Sequence, residues 1–154
     1  MKPNYLIIPL LTFITAFIGS NITSKGMNWY KTINLPSFAP PGSIIGTIWT
    51  IIFILTALSA IIFWNHCYGK RNYRLVVLLF LVNALLNIAW SYIFFGLNLI
   101  GLAIFEAGLL GLSVLILIIL IYPYSILAAG LLSPYFIWVS FATYLNYTIW
   151  TLNK

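Results

Sequence analysis

Residues 99–121, LIGLAIFEAGLLGLSVLILIILI, decide what kind of molecule this is. The whole run carries one charged side chain, Glu106, and a helix needs roughly 20 apolar residues to cross the hydrocarbon of a bilayer. Apolar and polar residues do not alternate with period two, so the run reads as a helix rather than a strand of a membrane barrel. In lipid every backbone N–H and C=O must find a partner within the protein, and a helix supplies those partners by itself.

Measured with the same ruler, four further runs stand out near 5–24, 43–66, 73–95 and 125–151. The joints between them carry turn chemistry: Lys25-Gly26 and Pro40-Pro41-Gly42 around the first loop, Gly69-Lys70-Arg71-Asn72 in the second, Gly96-Leu97-Asn98 in the third and Pro123 in the fourth. The expectation is an all-α, polytopic membrane protein: one domain over 1–154, built as a bundle of five transmembrane helices. The first run is longer than the apolar core of a signal peptide and ends without a small-x-small cleavage site, so it is expected to be a retained span.

Composition agrees: 63% of the 154 residues are hydrophobic and 5% are charged, giving a mean hydropathy of +1.08. A formal charge of +6 invites a nucleic-acid reading. The basic residues sit at helix ends rather than on one stripe, however, so they read as membrane anchors and no nucleic-acid partner is expected. Lys2, Lys70, Arg71 and Arg74 on one face oppose Lys25, Lys31 and Lys154 on the other, which tips the N-terminus toward the cytoplasm. A single cysteine, Cys67, forms no internal disulfide. One His, one Cys and one Glu make neither a closed metal site nor a Ser-His-Asp triad, so no metal is expected. Five spans also do not divide into the equal inverted halves of many carriers.

Polar and aromatic residues inside the spans gather in the half of the bilayer nearest the first loop. At 1.5 Å per residue, Trp49, Asn87 and Glu106 lie about two turns in from that face and Trp90 and Asn146 about one to two, with Trp138 nearer the middle. Trp49 and Phe53 are spaced i, i+4. Asn83, Asn87 and Trp90 are spaced i, i+4, i+7, and Trp138, Phe141, Ala142 and Asn146 run along one side of the last span. Each set can face inward together, which predicts a cavity lined by Trp, Phe and Asn beneath the loop WYKTINLPSFAPPG at 29–42. Prolines restrict that loop, and Trp29, Tyr30 and Phe38 give it apolar contact surface, so residues 25–42 read as a lid.

Other readings stay open for several of these residues. Trp64 and Trp150 read as interfacial anchors, and Trp29 and Tyr30 fit either an anchor or a lid. Asn83 and Asn87 either line the cavity or hydrogen-bond a neighbouring helix. Glu106, the only acid, either fixes helix register or orients a ligand, because a lone carboxyl in hydrocarbon is costly unless neutral or paired. Ala103, Ala107, Gly108 and Gly111 offer small-xxx-small spacings for close packing in the bundle or a dimer. Pro134 is expected to kink the last span and Pro9 the first.

The motifs GMNWYKTINLPSFAPPG, GTIW, NIAWSYIFFGLN and SPYFIWVSFATYLNYTIW, with the acid at Glu106, resemble the translocator protein family, also called tryptophan-rich sensory proteins or peripheral benzodiazepine receptors. The resemblance covers nearly the whole chain. It implies five helices, a homodimer, and a pocket under the first loop for porphyrins and benzodiazepine-receptor drugs. Carried over by position, that pocket comprises Tyr30, Pro40, Trp49, Phe53, Asn83, Asn87, Trp90, Trp138, Phe141 and Ala142. The family also implies light-dependent oxidative breakdown of protoporphyrin, with Trp49 and Trp138 as the reactive tryptophans. Porphyrin is then ligand or substrate, with light and oxygen as the other requirements and no resident cofactor. Transport of porphyrins or similar apolar ligands, and a ligand-gated sensor or scaffold, are the alternatives. The expected location is a bacterial cell membrane. One motif departs from the family: Leu145 and Tyr147 are present, but Thr151 replaces the arginine of the sterol-recognition segment and the next base is Lys154. Sterol binding through that segment is therefore not expected.

Overall fold

Why the chain spans where it does follows from its five apolar segments, each long enough to cross a membrane as a helix. The computed structural model describes residues 3–154, so Lys2 and its contribution to the charge balance lie outside the described residues. The elements are α1 (Asn4–Tyr30), α2 (Gly42–Cys67), α3 (Tyr73–Ser91) continuing into a π turn (Tyr92–Gly96), α4 (Ile100–Ile121), a short α5 (Ile126–Gly130) and α6 (Ser133–Leu152). No strand occurs among the described residues. The protein is an all-helical integral membrane protein.

α4 is the strut of the bundle, packed between α3 and α6. One stripe of it, including Ala103, Ala107, Leu110, Val114 and Leu117, is buried, while Leu102, Phe105, Leu109 and Leu112 face outward. The outward leucines meet lipid, so their exposure carries none of the cost it would have in water. Gly111 allows the approach of α6: a Cβ there would stand 3.4 Å from Val139. Gly108, by contrast, faces outward into open space.

Interhelical hydrogen bonds fix the register. Asn83 Nδ2 donates to Ser113 Oγ at 2.8 Å, joining α3 to α4. Asn87 Nδ2 donates to the Tyr135 hydroxyl at 3.2 Å, joining α3 to α6. Ser59 Oγ donates to the Ala128 carbonyl at 2.7 Å, joining α2 to α5. At the far face Asn4 Nδ2 donates to Asn65 Oδ1 at 3.3 Å, and Asn65 Nδ2 donates to the Tyr5 hydroxyl at 3.0 Å. Those last two bonds close the lower ends of α1 and α2.

Three boundaries differ from the sequence expectation. α1 runs to Tyr30 instead of stopping near 24, so the first loop is 31–41 rather than 25–42. The extension is possible because Gly26 lies against the π turn, where a Cβ would come within 2.5 Å of the Phe95 carbonyl oxygen. Trp29 and Tyr30 then pack on Phe94, with ring centroids at 5.6 and 6.1 Å. The third span ends in the π turn, closed by Leu97 N–H to the Tyr92 carbonyl at 2.8 Å, and Asn98 takes the left-handed conformation at φ 59°. The last span is two helices. Ser125 Oγ caps α5 by accepting from the Ala128 N–H at 3.2 Å, and Pro134 stands in the first turn of α6, where proline costs no hydrogen bond. Pro134 therefore marks a break rather than a kink. Pro9 lies inside α1, where it withholds the N–H that would bond the Tyr5 carbonyl.

Candidate functional site: a tryptophan-walled cavity

The loop-side half of the bundle encloses a cavity of about 440 Å³, within the range of roughly 300–1,000 Å³ typical of small-molecule sites. Its walls come from α1, α2, α3 with the π turn, and α6. The helices diverge there because α1 leans on the π turn through Gly26, while Trp49 of α2 packs edge-on against Tyr135 of α6, centroids 5.8 Å apart.

Tyr30, Trp49, Phe53, Asn87, Trp90, Trp138 and Ala142 line the cavity. Phe141 lies beside it, packed on Trp138 with centroids at 5.4 Å and on Phe38 of the loop at 6.4 Å. Pro40 is a half-buried loop residue next to Pro41 and the start of α2, outside the cavity wall. Asn83 is spent on Ser113 and borders a different, smaller space. Asn87 serves both uses that its spacing left open, since it bonds Tyr135 and still lines the cavity.

The wall is aromatic and neutral. Trp90 stacks on Phe94 with centroids at 5.4 Å and planes 16° apart, and Trp49 and Phe53 pack at 5.8 Å. No Lys, Arg, His, Asp or Glu is among the lining residues. His66 sits on the exposed last turn of α2, its Nδ1 2.9 Å from the Ile62 carbonyl oxygen. Flat, apolar, polarisable ligands suit such a wall, held by stacking and shape.

α1 contributes a wall that the pattern of tryptophans and asparagines does not reveal. Ala16, Gly19, Ser20 and Thr23 line it at helical spacing, with Met27 and Tyr30 above. That run of small residues within a span of Leu, Ile and Phe is the signal the sequence offers for it. Opposite, Gly42 and Gly46 of α2 border the cavity, and a Cβ on either would meet nothing within 4 Å. Phe13 and Phe17, exposed by 65% and 59%, also line it, so the cavity opens sideways between α1 and α2.

Loop 31–41 is tied down over this half of the molecule. The Asn34 N–H donates to Asn153 Oδ1 at 2.9 Å, and Asn153 Nδ2 donates back to the Asn34 carbonyl at 2.9 Å. Asn153 Nδ2 also donates to the Ile149 carbonyl at 2.7 Å. Phe38 stacks on Tyr144 with centroids at 5.7 Å. The loop is thus pinned to the end of α6. Nearby Trp150 lies beside Gly101, with Lys154 Nζ 4.4 Å above its ring.

A second space of about 120 Å³ lies between the lower halves of α1, α2 and α3. It shares Phe53 and Asn87 with the larger cavity, and Thr56 and Thr15 are among its few polar residues.

The sequence matches the family model described as TspO/MBR over residues 7–151. It is 37% identical over 153 residues to the tryptophan-rich protein TspO of Bacillus cereus, covering 99% of both chains. It is 31% identical over 153 residues to the translocator protein of Homo sapiens, covering 95% of this chain and 90% of the human one. To protein CrtK of Rhodobacter capsulatus it is 30% identical over 125 residues, covering 81% of this chain and 78% of the other.

Proposed function

The chain belongs to the TspO/MBR family, and from that premise we propose that it binds a porphyrin in the tryptophan-walled cavity and promotes the light-dependent oxidation of protoporphyrin. The observation that carries this reading is the cavity itself: about 440 Å³, bordered by Trp49, Trp90 and Trp138, with no charged side chain or imidazole in its wall. A metal-free macrocycle needs no axial ligand, and the wall offers indole faces on which it can stack. Excited by light, the macrocycle passes its energy to dioxygen. The activated oxygen adds across a double bond of the macrocycle or of an adjacent indole, and opening of that adduct leaves two carbonyls that hold both oxygen atoms. Trp49 and Trp138 are the indoles to test. Benzodiazepine-receptor drugs are expected to compete for the same wall.

The test is a protoporphyrin titration of the purified protein, following tryptophan quenching, then porphyrin absorbance under light and in the dark. Saturable quenching with light-dependent loss that Trp138→Phe slows supports the reading. Absence of saturable quenching overturns it.

A second reading, passage of an apolar ligand across the membrane, is favoured by the smaller space that meets the main cavity at Phe53 and Asn87. Porphyrin efflux from sealed liposomes in the dark, blocked by a bulkier residue at Thr56, would favour transport over degradation. We further propose that the protein is a homodimer, which crosslinking in native membranes tests.

A further inference from the structure

Three side chains at one level of the bundle hold polar atoms that lack a partner among the described residues. Both carboxyl oxygens of Glu106, the Nδ2 of Asn146 and the Nε1 of Trp90 are buried without a hydrogen bond. Glu106 is 6% exposed and Asn146 3%. Asn146 and Trp90 line the main cavity, and Glu106 stands on α4 behind that wall.

Helical register brings them together. The Asn83–Ser113 hydrogen bond fixes α3 against α4. Trp90 lies seven residues beyond Asn83, and Glu106 seven residues before Ser113. Seven residues are close to two turns, so in this antiparallel pair Trp90 and Glu106 return to the shared face about 10 Å nearer the loop. α6 gives an independent check. Gly101 lies against Trp150 and Gly111 against Val139, with a Cβ on each glycine 3.2 and 3.4 Å from its partner. Glu106 is midway between the two glycines, and the matching point on α6 falls beside Leu145, next to Asn146. Two donors on the cavity wall and one double acceptor behind it thus share a level.

The chemistry of the set is complementary. An indole N–H and a carboxamide NH₂ only donate, whereas a carboxyl brings two oxygens that accept. In hydrocarbon there is no water outside the bundle to satisfy either kind, so each is driven toward the other. We propose that Glu106 is a positioning residue which, in the porphyrin-loaded protein, accepts hydrogen bonds from Trp90 Nε1 and Asn146 Nδ2. It thereby sets the plane of the indole against which the macrocycle stacks. This rests on the proposed porphyrin reading of the cavity. Trp90 already stacks on Phe94, so fixing its N–H end fixes the remaining freedom of the ring.

The experiment uses the full chain in lipid nanodiscs. It combines indole ¹H–¹⁵N spectra, with the Trp90 signal assigned by Trp90→Phe, and a protoporphyrin titration of wild type, Glu106→Gln and Glu106→Leu. Glu106→Gln keeps an acceptor of the same shape and is expected to bind within about threefold of wild type, yet to shift the Trp90 indole signal because the accepting group changes from a carboxyl to an amide. Glu106→Leu is expected to weaken binding about tenfold and to move the Trp90 signal toward that of an unbonded indole, with its unfolding midpoint no lower than wild type. A Trp90 signal unmoved by both variants overturns the proposal. So does equal loss of affinity in both, because Gln would then fail to rescue. If Glu106→Leu does not fold, the Trp90 signal and affinity of Glu106→Gln decide alone: an unmoved signal, or a loss of affinity well beyond threefold, overturns the proposal. Failure of wild type to bind porphyrin defeats the functional reading instead, and the indole shifts, read with protoporphyrin present and absent, show whether Glu106 reaches Trp90 at all.

Discussion

The same substitution should have opposite effects at two glycines of the cavity's frame. At Gly26 an added Cβ would lie 2.5 Å from the Phe95 carbonyl oxygen, 2.7 Å from its Cβ and 3.0 Å from its carbonyl carbon. None of those atoms is the end of a flexible side chain, so α1 must move off the π turn. Overpacking of this kind costs about 1–3 kcal/mol, and backbone contact places it at the upper end. Replacing a helical glycine by alanine returns about 1 kcal/mol, so Gly26→Ala should be destabilising by about 2 kcal/mol. At Gly46 a Cβ meets nothing within 4 Å, so Gly46→Ala should retain the helix gain of up to about 1 kcal/mol. Unfolding by SDS titration in mixed micelles, followed by tryptophan fluorescence, measures both. Gly46→Leu would then project a branched side chain into the cavity mouth and should weaken protoporphyrin binding while the protein stays as stable as wild type. Destabilisation of Gly46→Ala by about 1 kcal/mol or more would place packed protein where the structure has the open side of the cavity, and a sideways mouth at that point would be ruled out. A neutral Gly26→Ala would equally refute the close approach that splays α1 from α2.

Three further outcomes follow from particular contacts. Trp138→Phe keeps an aromatic face on the wall but removes the indole, so porphyrin affinity should change by less than about threefold while photochemical loss slows several-fold; absorbance decay under fixed illumination reads both. Asn153→Ala removes the reciprocal bonds to Asn34, each worth about 0.5–1.5 kcal/mol, and should speed protease cleavage within loop 31–41. Asn83→Leu should cost under about 1 kcal/mol, in line with measured interhelical bonds in membranes, because Ser113 Oγ still donates to the Leu110 carbonyl at 2.7 Å; porphyrin affinity should stay within about twofold of wild type.

Five spans were legible because hydrocarbon length is a hard constraint and the apolar runs meet it without help from packing. What the sequence hid depends on contacts between helices. Lys25-Gly26 reads as a helix stop, yet Gly26 is buried in the middle of a contact with the π turn, and the helix continues for another turn. The π turn at YIFFG has no local signature, since it answers the need to place Phe94 and Phe95 against Trp29 and Tyr30. Tryptophan and asparagine pointed to three walls of the cavity because such residues are unusual at depth. The α1 wall escaped notice because small residues are ordinary in membrane helices, and only their i, i+3, i+4, i+7 order at Ala16, Gly19, Ser20 and Thr23 distinguishes them.

The division of labour among the helices explains why the cavity is built from α1, α2, α3 and α6. α4 carries the most deeply buried stripe and holds α3 and α6 at fixed register through Ser113, Gly111 and Gly101. A helix so committed to both neighbours cannot also recede to make room. α1 and α2, in contrast, are joined by side-chain hydrogen bonds at the far face, through Asn4, Tyr5 and Asn65. Toward the loop α1 is drawn to the π turn, and the space left beside α2 faces lipid with Phe13, Phe17 and Gly46 at its edge. A flat apolar ligand is already dissolved in that lipid at far higher concentration than in water, so a side opening exploits partitioning that a mouth on the aqueous face would not. The pinned loop and the side opening thus lie in the same half of the bundle, the loop tied to α6 through Asn34 and Asn153 and the opening set beside α2 at Gly46.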